Sequence, residues 1–320
     1  MSPRMHFKNA VHFITNRTEH QMFFLLPTKT ITKLIRQWFA RALKKYGNGL
    51  EIYAFIFLSN HFHLLVKDTG DSGKSPGTGG NLAAFMCYFQ GNLARAVNRE
   101  LGRSGTFWSG EYDDVIVEGD AELLNRYAYT LCNAVKAGLV DTADEWPGWT
   151  SLQGALSDGT YRIEMVNRTK VHNATRRGQK VDKSKFEETW TFKLTLPPFL
   201  EGKTKDERRQ FIKDLLKTAE AAYRERREYK PPLGVPAIRK QRPTDRPKNP
   251  SFRPRIKVFI LDEQRRREWL EGYRTFVGAY REAFDVYRKA AYKRRRPAIE
   301  WPDGSYPPGC WTPVRLKRLA

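Results

Sequence analysis

Two histidines one residue apart, His61 and His63, and a tyrosine and an asparagine four apart, Tyr129 and Asn133, have residue types and spacings that could do chemistry. His61-Phe62-His63 leads into Leu64-Leu65-Val66. In a strand, alternation points both imidazoles to one face and Phe62 to the other. Two imidazoles side by side can bind one divalent metal ion, but the same spacing also occurs in ordinary surface or core histidines. Tyr129 and Asn133 fall in a stretch, 120–137, whose inward stripe is Leu124, Tyr127, Ala128, Leu131 and Val135. Tyr129, Asn133 and Lys136 share a different face. A phenol one turn from an amide oxygen offers a nucleophile beside a hard ligand. The bland reading is a surface aromatic and a polar residue before the helix stop. Tyr127 competes as nucleophile but lies about 200° around the helix from Tyr129, on the apolar stripe, where packing is its better role. Tyr88 and Tyr112 have no amide one turn away, and His6, His12, His20 and His172 have no ligand-like partner nearby.

These groups need elements to hold them. Apolar runs at 10–14, 52–58 and 62–66, rich in β-branched and aromatic residues, predict strands. Between the first two, Leu34, Ile35, Phe39 and Leu43 give a helical stripe that Thr30 or Thr32 could cap and Gly47 and Gly49 end. Residues 69–80, rich in Gly, Ser, Pro and Thr, predict a flexible loop. A helix over 81–101, a strand over 114–117 and a helix over 120–137 follow. Trp146, Pro147 and Trp149 form a closing segment. The order predicts an α+β fold, a mainly antiparallel sheet with helices on one face, over residues 1–155. Residues 156–320 are expected to form a basic, largely helical extension. Stretches 204–228 and 262–295 have helical spacing, and 229–257, with seven prolines, reads as an extended linker.

Charge supports that division. The net charge is +22, and a field of that size attracts polyanions. Residues 1–150 hold 16 Lys+Arg against 14 Asp+Glu, and residues 151–320 hold 41 against 21. Interspersed acids fit solvated helix faces in part of the second half. They fail to do so from Arg239 to Lys257, where eight cations face only Asp245, and at Lys293-Arg294-Arg295-Arg296. Three distant cysteines, Cys87, Cys132 and Cys310, fit neither a disulfide framework nor a paired-cysteine zinc site. No apolar stretch approaches the roughly 20 residues that span a bilayer, so a cytoplasmic protein without a membrane partner is expected.

Three motifs in order carry a family resemblance: Asn60-His61-Phe62-His63-Leu64-Leu65-Val66, Arg103-Ser104-Gly105-Thr106-Phe107-Trp108, and Tyr127 through Val140. Residues 7–152 resemble the single-tyrosine HUH transposases, particularly the REP-associated tyrosine transposase branch. Ala134 stands where that family usually has proline, and Ser59 where a proline commonly precedes Asn-His; neither removes a reacting group. The resemblance implies a ferredoxin-like core. It implies a Mg²⁺ or Mn²⁺ ion on His61, His63 and Asn133, and Tyr129 as the nucleophile in cutting and rejoining single-stranded DNA through a 5′-phosphotyrosine. Imidazole ligands favour Mn²⁺, whereas cellular availability favours Mg²⁺. The implied partner is single-stranded DNA with a hairpin or repeat, bound by a monomer or homodimer. Arg17, Arg103 and Lys136 are candidate DNA-backbone contacts or, equally, solvated charges, and Lys293, Arg294, Arg295 and Arg296 are further candidate contacts. The alternative function is a non-catalytic DNA- or RNA-binding protein derived from such an enzyme.

Overall fold

The computed structural model describes residues 3–5, 8–69, 81–177, 181–247, 256–292, 298–305 and 307–308. Its strands are β1 (Ala10–Arg17), β2 (Leu50–Phe57), β3 (His61–Asp68), β4 (Asp113–Val117), β5 (Thr160–Val166), β6 (Glu187–Lys193) and β7 (Val258–Phe259). Its helices are α1 (Lys29–Tyr46), α2 (Asn81–Glu100), α3 (Asp120–Leu131), α4 (Asn133–Lys136), α5 (Leu152–Ala155), α6 (Arg168–Arg176), α7 (Lys205–Arg226), α8 (Val235–Lys240) and α9 (Glu263–Tyr292). Most of the expected loop at 69–80, part of the expected linker and the cluster Lys293-Arg294-Arg295-Arg296 lie outside the described residues.

The main sheet has the order β2-β3-β1-β4-β7. Its first four strands pair antiparallel, but β7 joins β4 in parallel, so the sheet is mixed. The expected strands are present. The expected helix cap is displaced: Thr28, extended at φ −78° and ψ 158°, accepts from the Ile31 amide and starts α1 before Thr30 and Thr32. The predicted helix over 120–137 is two pieces, separated at Cys132 (φ −97°, ψ 13°).

Helices cover both faces of the sheet, not one. Ile14, Phe55, Phe57, Phe62, Leu64 and Val66 pack with α1 and α2 residues such as Phe39, Phe85 and Phe89. Phe13, Ile56, Leu65 and Val115 face the other way, against Leu123, Tyr127 and Leu131 of α3 and Val135 of α4. The cause is written in β2, whose run from Ile52 to Phe57 is apolar throughout and buried throughout. A strand with two apolar faces needs two covers.

The chain beyond residue 155 supplies part of each cover. Tyr161, Ile163, Met165 and Phe192 of the β5–β6 hairpin join the α1/α2 core. Ile212 and Leu216 of α7 and Ile238 of α8 join the α3/α4 core. The stretch expected to be an extended linker thus contains α8, fixed by its completely buried Ile238. Behind α4, Arg227 donates to the Val135 carbonyl at 3.4 Å and to Asp141 at 2.8 Å. The Leu233 and Gly234 amides donate to the carbonyls of Gly138 and Leu139.

Candidate active site

Strand parity places His61 and His63 on the α3/α4 face, as alternation predicts. β1 lies beside β3 with Thr15 opposite His63 and Arg17 opposite His61. The two imidazole rings are 5.0 Å apart, centre to centre. His63 stacks on Phe13 at 5.0 Å and meets the Tyr129 ring edge-on at 5.3 Å. Asn133 lies close enough to His61 for its side chain to act on that imidazole's pKa, in the upward direction. His61, His63, Tyr129 and Asn133, remote in sequence, therefore form one cluster.

Each imidazole is oriented from behind. His61 Nδ1 donates to Asn60 Oδ1 at 2.6 Å. His63 Nδ1 is hydrogen-bonded to Thr15 Oγ1 at 2.7 Å. In both rings this engages the δ nitrogen, the kind of support that fixes ring orientation in metal-binding histidines. His63 Nε2 is buried and has no hydrogen-bond partner. Burial and then the charge of Arg17 lower the His61 pKa to about 3, against a smaller upward effect of the Asn133 side chain. Burial, His61 and the cations Lys136, Arg17 and Arg126 hold His63 well below its ordinary value. Both rings are thus neutral at physiological pH, as imidazole ligands must be. Among the described residues, no group of three or more His, Cys, Asp or Glu side chains could hold a metal. The candidate donors gathered there are two imidazoles and one amide oxygen, group types that divalent ions accept.

Tyr129 is half-buried with its hydroxyl held by Lys136, whose Nζ donates to it at 3.2 Å. The same ammonium lies 4.3 Å from the ring centre, and Arg126 lies 5.3 Å from it on another side. The competing tyrosines are elsewhere. Tyr127 is buried against Phe199 with its pKa pushed up by burial, and Tyr112 is buried beneath Arg4, its pKa also raised by burial. Arg17 joins the cluster through its register with His61. Arg103 does not: it donates to Asn98 of α2 and to Thr106 in its own loop, and sits 3.9 Å over Phe24, in the α1/α2 core.

Sequence reasoning missed Thr15, Asn60 and Arg126. Thr15 has no signal without the strand register. Asn60 was visible inside the His-Phe-His motif, and Arg126 precedes Tyr129 by three residues, a spacing that brings helical side chains together.

No family model matches the sequence, and no curated protein matches it. Among solved structures the chain is similar to a REP-associated tyrosine transposase bound to a REP hairpin, at 15% identity and a TM-score of 0.38, over 49% of this chain and 84% of that one. It is also similar to a protein of Deinococcus radiodurans R1 provisionally described as a transposase, at 13% identity and a TM-score of 0.26, over 38% and 88% of the two chains. At these levels neither similarity bears on the chemistry. Among the described residues no helix is long and apolar enough to cross a membrane.

Proposed function

We propose that this protein is a single-tyrosine nuclease and strand transferase that cuts single-stranded DNA with Tyr129 and keeps the cut end as a 5′-phosphotyrosine. One observation carries the reading: the Tyr129 phenol, bonded to Lys136, sits against His63 in a cluster completed by His61 and Asn133. An occupancy-only protein requires none of these four groups.

In the reaction the Tyr129 oxygen forms a bond to phosphorus as the bond to the departing 3′ oxygen breaks. The proton lost by the phenol is balanced by one gained by the 3′ hydroxyl, and one ester replaces another. Lys136 is placed to offset negative charge on the phenol oxygen and the attacked phosphate. Arg17 and Arg126 add positive charge at the same place. A Mg²⁺ or Mn²⁺ ion held by His61, His63 and Asn133 would supply polarisation of a phosphoryl oxygen and orient the phosphate. Because the ester is conserved, a second 3′ hydroxyl can reverse the step on another strand without a nucleotide cofactor.

The test is incubation of the full-length protein with end-labelled single-stranded hairpin DNA and Mn²⁺, followed by denaturing electrophoresis. A labelled protein band that Tyr129→Phe abolishes is the expected result. Binding without a covalent band would assign the chain to the non-catalytic reading.

A further inference from the structure

We infer that the groove walled by the first half of α1, the β5–β6 hairpin and α8 is a binding channel for the phosphate backbone of a single-stranded nucleic acid, and that it feeds the Tyr129 site. This rests on the proposed function for its destination, though not for its ligand.

The groove has a volume of about 1040 Å³, at the upper edge of the roughly 300–1,000 Å³ typical of small-molecule sites. Its lining includes Lys29, Lys33 and Arg36 of α1, Arg162 of β5 and Arg239 of α8. Against these five cations stands one acid, Glu164. Among the described residues, none of the five forms an ion pair, although Lys44, also on α1, pairs with Glu188. Unpaired like charges converging from three elements repel one another, so the arrangement is unfavourable until a polyanion enters.

The position of Lys29 and Lys33 sharpens the point. The first turn of α1 has no acidic residue, and a cation occupies its first position. Helix N-termini favour negative charge, so lysines there weaken the helix and strengthen attraction for a phosphate. On the same helix Ile31, Ile35, Trp38 and Phe39 face the core, which turns the 29–33–36 row outward into the groove. The remaining walls mix apolar Leu26, Pro27 and Ile163, which suit sugars and bases, with the polar Thr28, Thr32 and Gln37.

Continuity with the active site comes from the backbone. The Leu26–Thr28 wall adjoins Leu25, whose amide donates to the Ser59 carbonyl at 2.8 Å, in the turn that carries Asn60 and His61. Asn60 itself reaches Gln21 at 3.2 Å. Through Leu25 and Ser59 the groove therefore borders the turn that leads into His61. The groove draws on β5, β6 and α8 as well as α1.

The experiment uses the full-length protein and a fluorescent 20-nucleotide single strand, with affinity measured against salt in the presence of chelator. Two groove variants, Lys29→Gln/Lys33→Gln/Arg36→Gln and Arg162→Gln/Arg239→Gln, are compared with Arg209→Gln/Lys213→Gln/Lys217→Gln on the exposed side of α7. With about 0.7 per phosphate contact, the triple groove variant should lower the log–log salt slope by about 2 and the double by about 1.4. The α7 control should change it by less than about 0.7. Equal slopes for wild type and both groove variants, or an equal drop in the control, would overturn the channel. A second arm measures the covalent band with DNA carrying uncharged methylphosphonate linkages on one side of the cut. Wild type should lose at least tenfold in adduct at subsaturating protein, and the triple variant should be indifferent to the replacement. If wild type forms no adduct at all, the nuclease reading fails while the salt slopes still decide the channel.

Discussion

The two faces of the central sheet are built to different ends. On the α1/α2 face, Phe39 is completely buried among Phe55, Phe57, Phe85, Phe89 and Trp149, with ring centres 5.3–6.2 Å apart. On the α3/α4 face the aromatic layer is interrupted by His61, His63, Asn133, Tyr129 and Lys136. Even the histidines differ. His12, on the α1/α2 face, is buried and bonded to Asp114 at 2.8 Å. Burial alone would lower its pKa, but the charge and hydrogen bond of Asp114 hold it above its ordinary value. His61 and His63, without a carboxylate, are held neutral. One face spends its burial on stability and the other gives some up to keep polar groups dry and aimed, a division that mutation can break.

The largest effect should follow from removing what both faces share. Truncation after residue 155 deletes Ile163, Met165 and Phe192 from one core and Ile212, Leu216 and Ile238 from the other. The remaining piece should lack a cooperative thermal transition by circular dichroism. Tyr129→Phe should separate the faces most cleanly: no covalent adduct, unchanged DNA affinity, and stability within about 1.5 kcal/mol of wild type, since one half-exposed hydrogen bond is lost. Phe39→Ala is the converse. It should cost about 3–5 kcal/mol in urea unfolding, while the folded fraction keeps its rate of adduct formation.

Much of this was legible in advance. Strand alternation places His61 and His63 on one face, and the shared helix side brings Tyr129, Asn133 and Lys136 together. The two-sided cover was also present in the unbroken apolar run of β2, although the element order alone favours one side. The second half was harder to read because its buried residues are few and scattered among charges. In α7 only Ile212 and Leu216 are fully buried along 22 residues, too sparse a stripe to show where the helix docks. Arg103, a cation in a recognisable motif, lies away from the histidine cluster, on the side of Phe24.

Smaller tests refine the contrast. Lys136→Met should slow single-turnover adduct formation on saturating DNA on the order of 10²-fold, as for loss of one donor to developing charge, with little change in unfolding free energy. The smallest effect concerns the His12–Asp114 pair. A histidine pKa raised by folding adds stability that is fully present below about pH 6.5 and lost as pH rises through the folded-state value. Asp114, whose net shift is downward because His12 outweighs burial, adds stability above the ordinary carboxylate range that is lost as pH falls. His12→Gln should therefore be most destabilising near pH 6 and approach wild type toward pH 9, on urea titrations at about pH 6, 7.5 and 9. A constant difference across that range would show that His12 acts by packing alone.

The break at Cys132 has a consequence for how this site can vary between relatives. In an unbroken helix the distance from phenol to amide is fixed by helical pitch, and drift in one drags the other. Here Tyr129 belongs to α3 and Asn133 to α4, and Arg227 braces α4 at the Val135 carbonyl while the Leu233 and Gly234 amides hold Gly138 and Leu139 just beyond it. In the proposed reaction the spacing between Tyr129 and Asn133 is thereby tied to residues some ninety positions downstream. Substitutions there can retune the reacting distance while every reacting group stays the same.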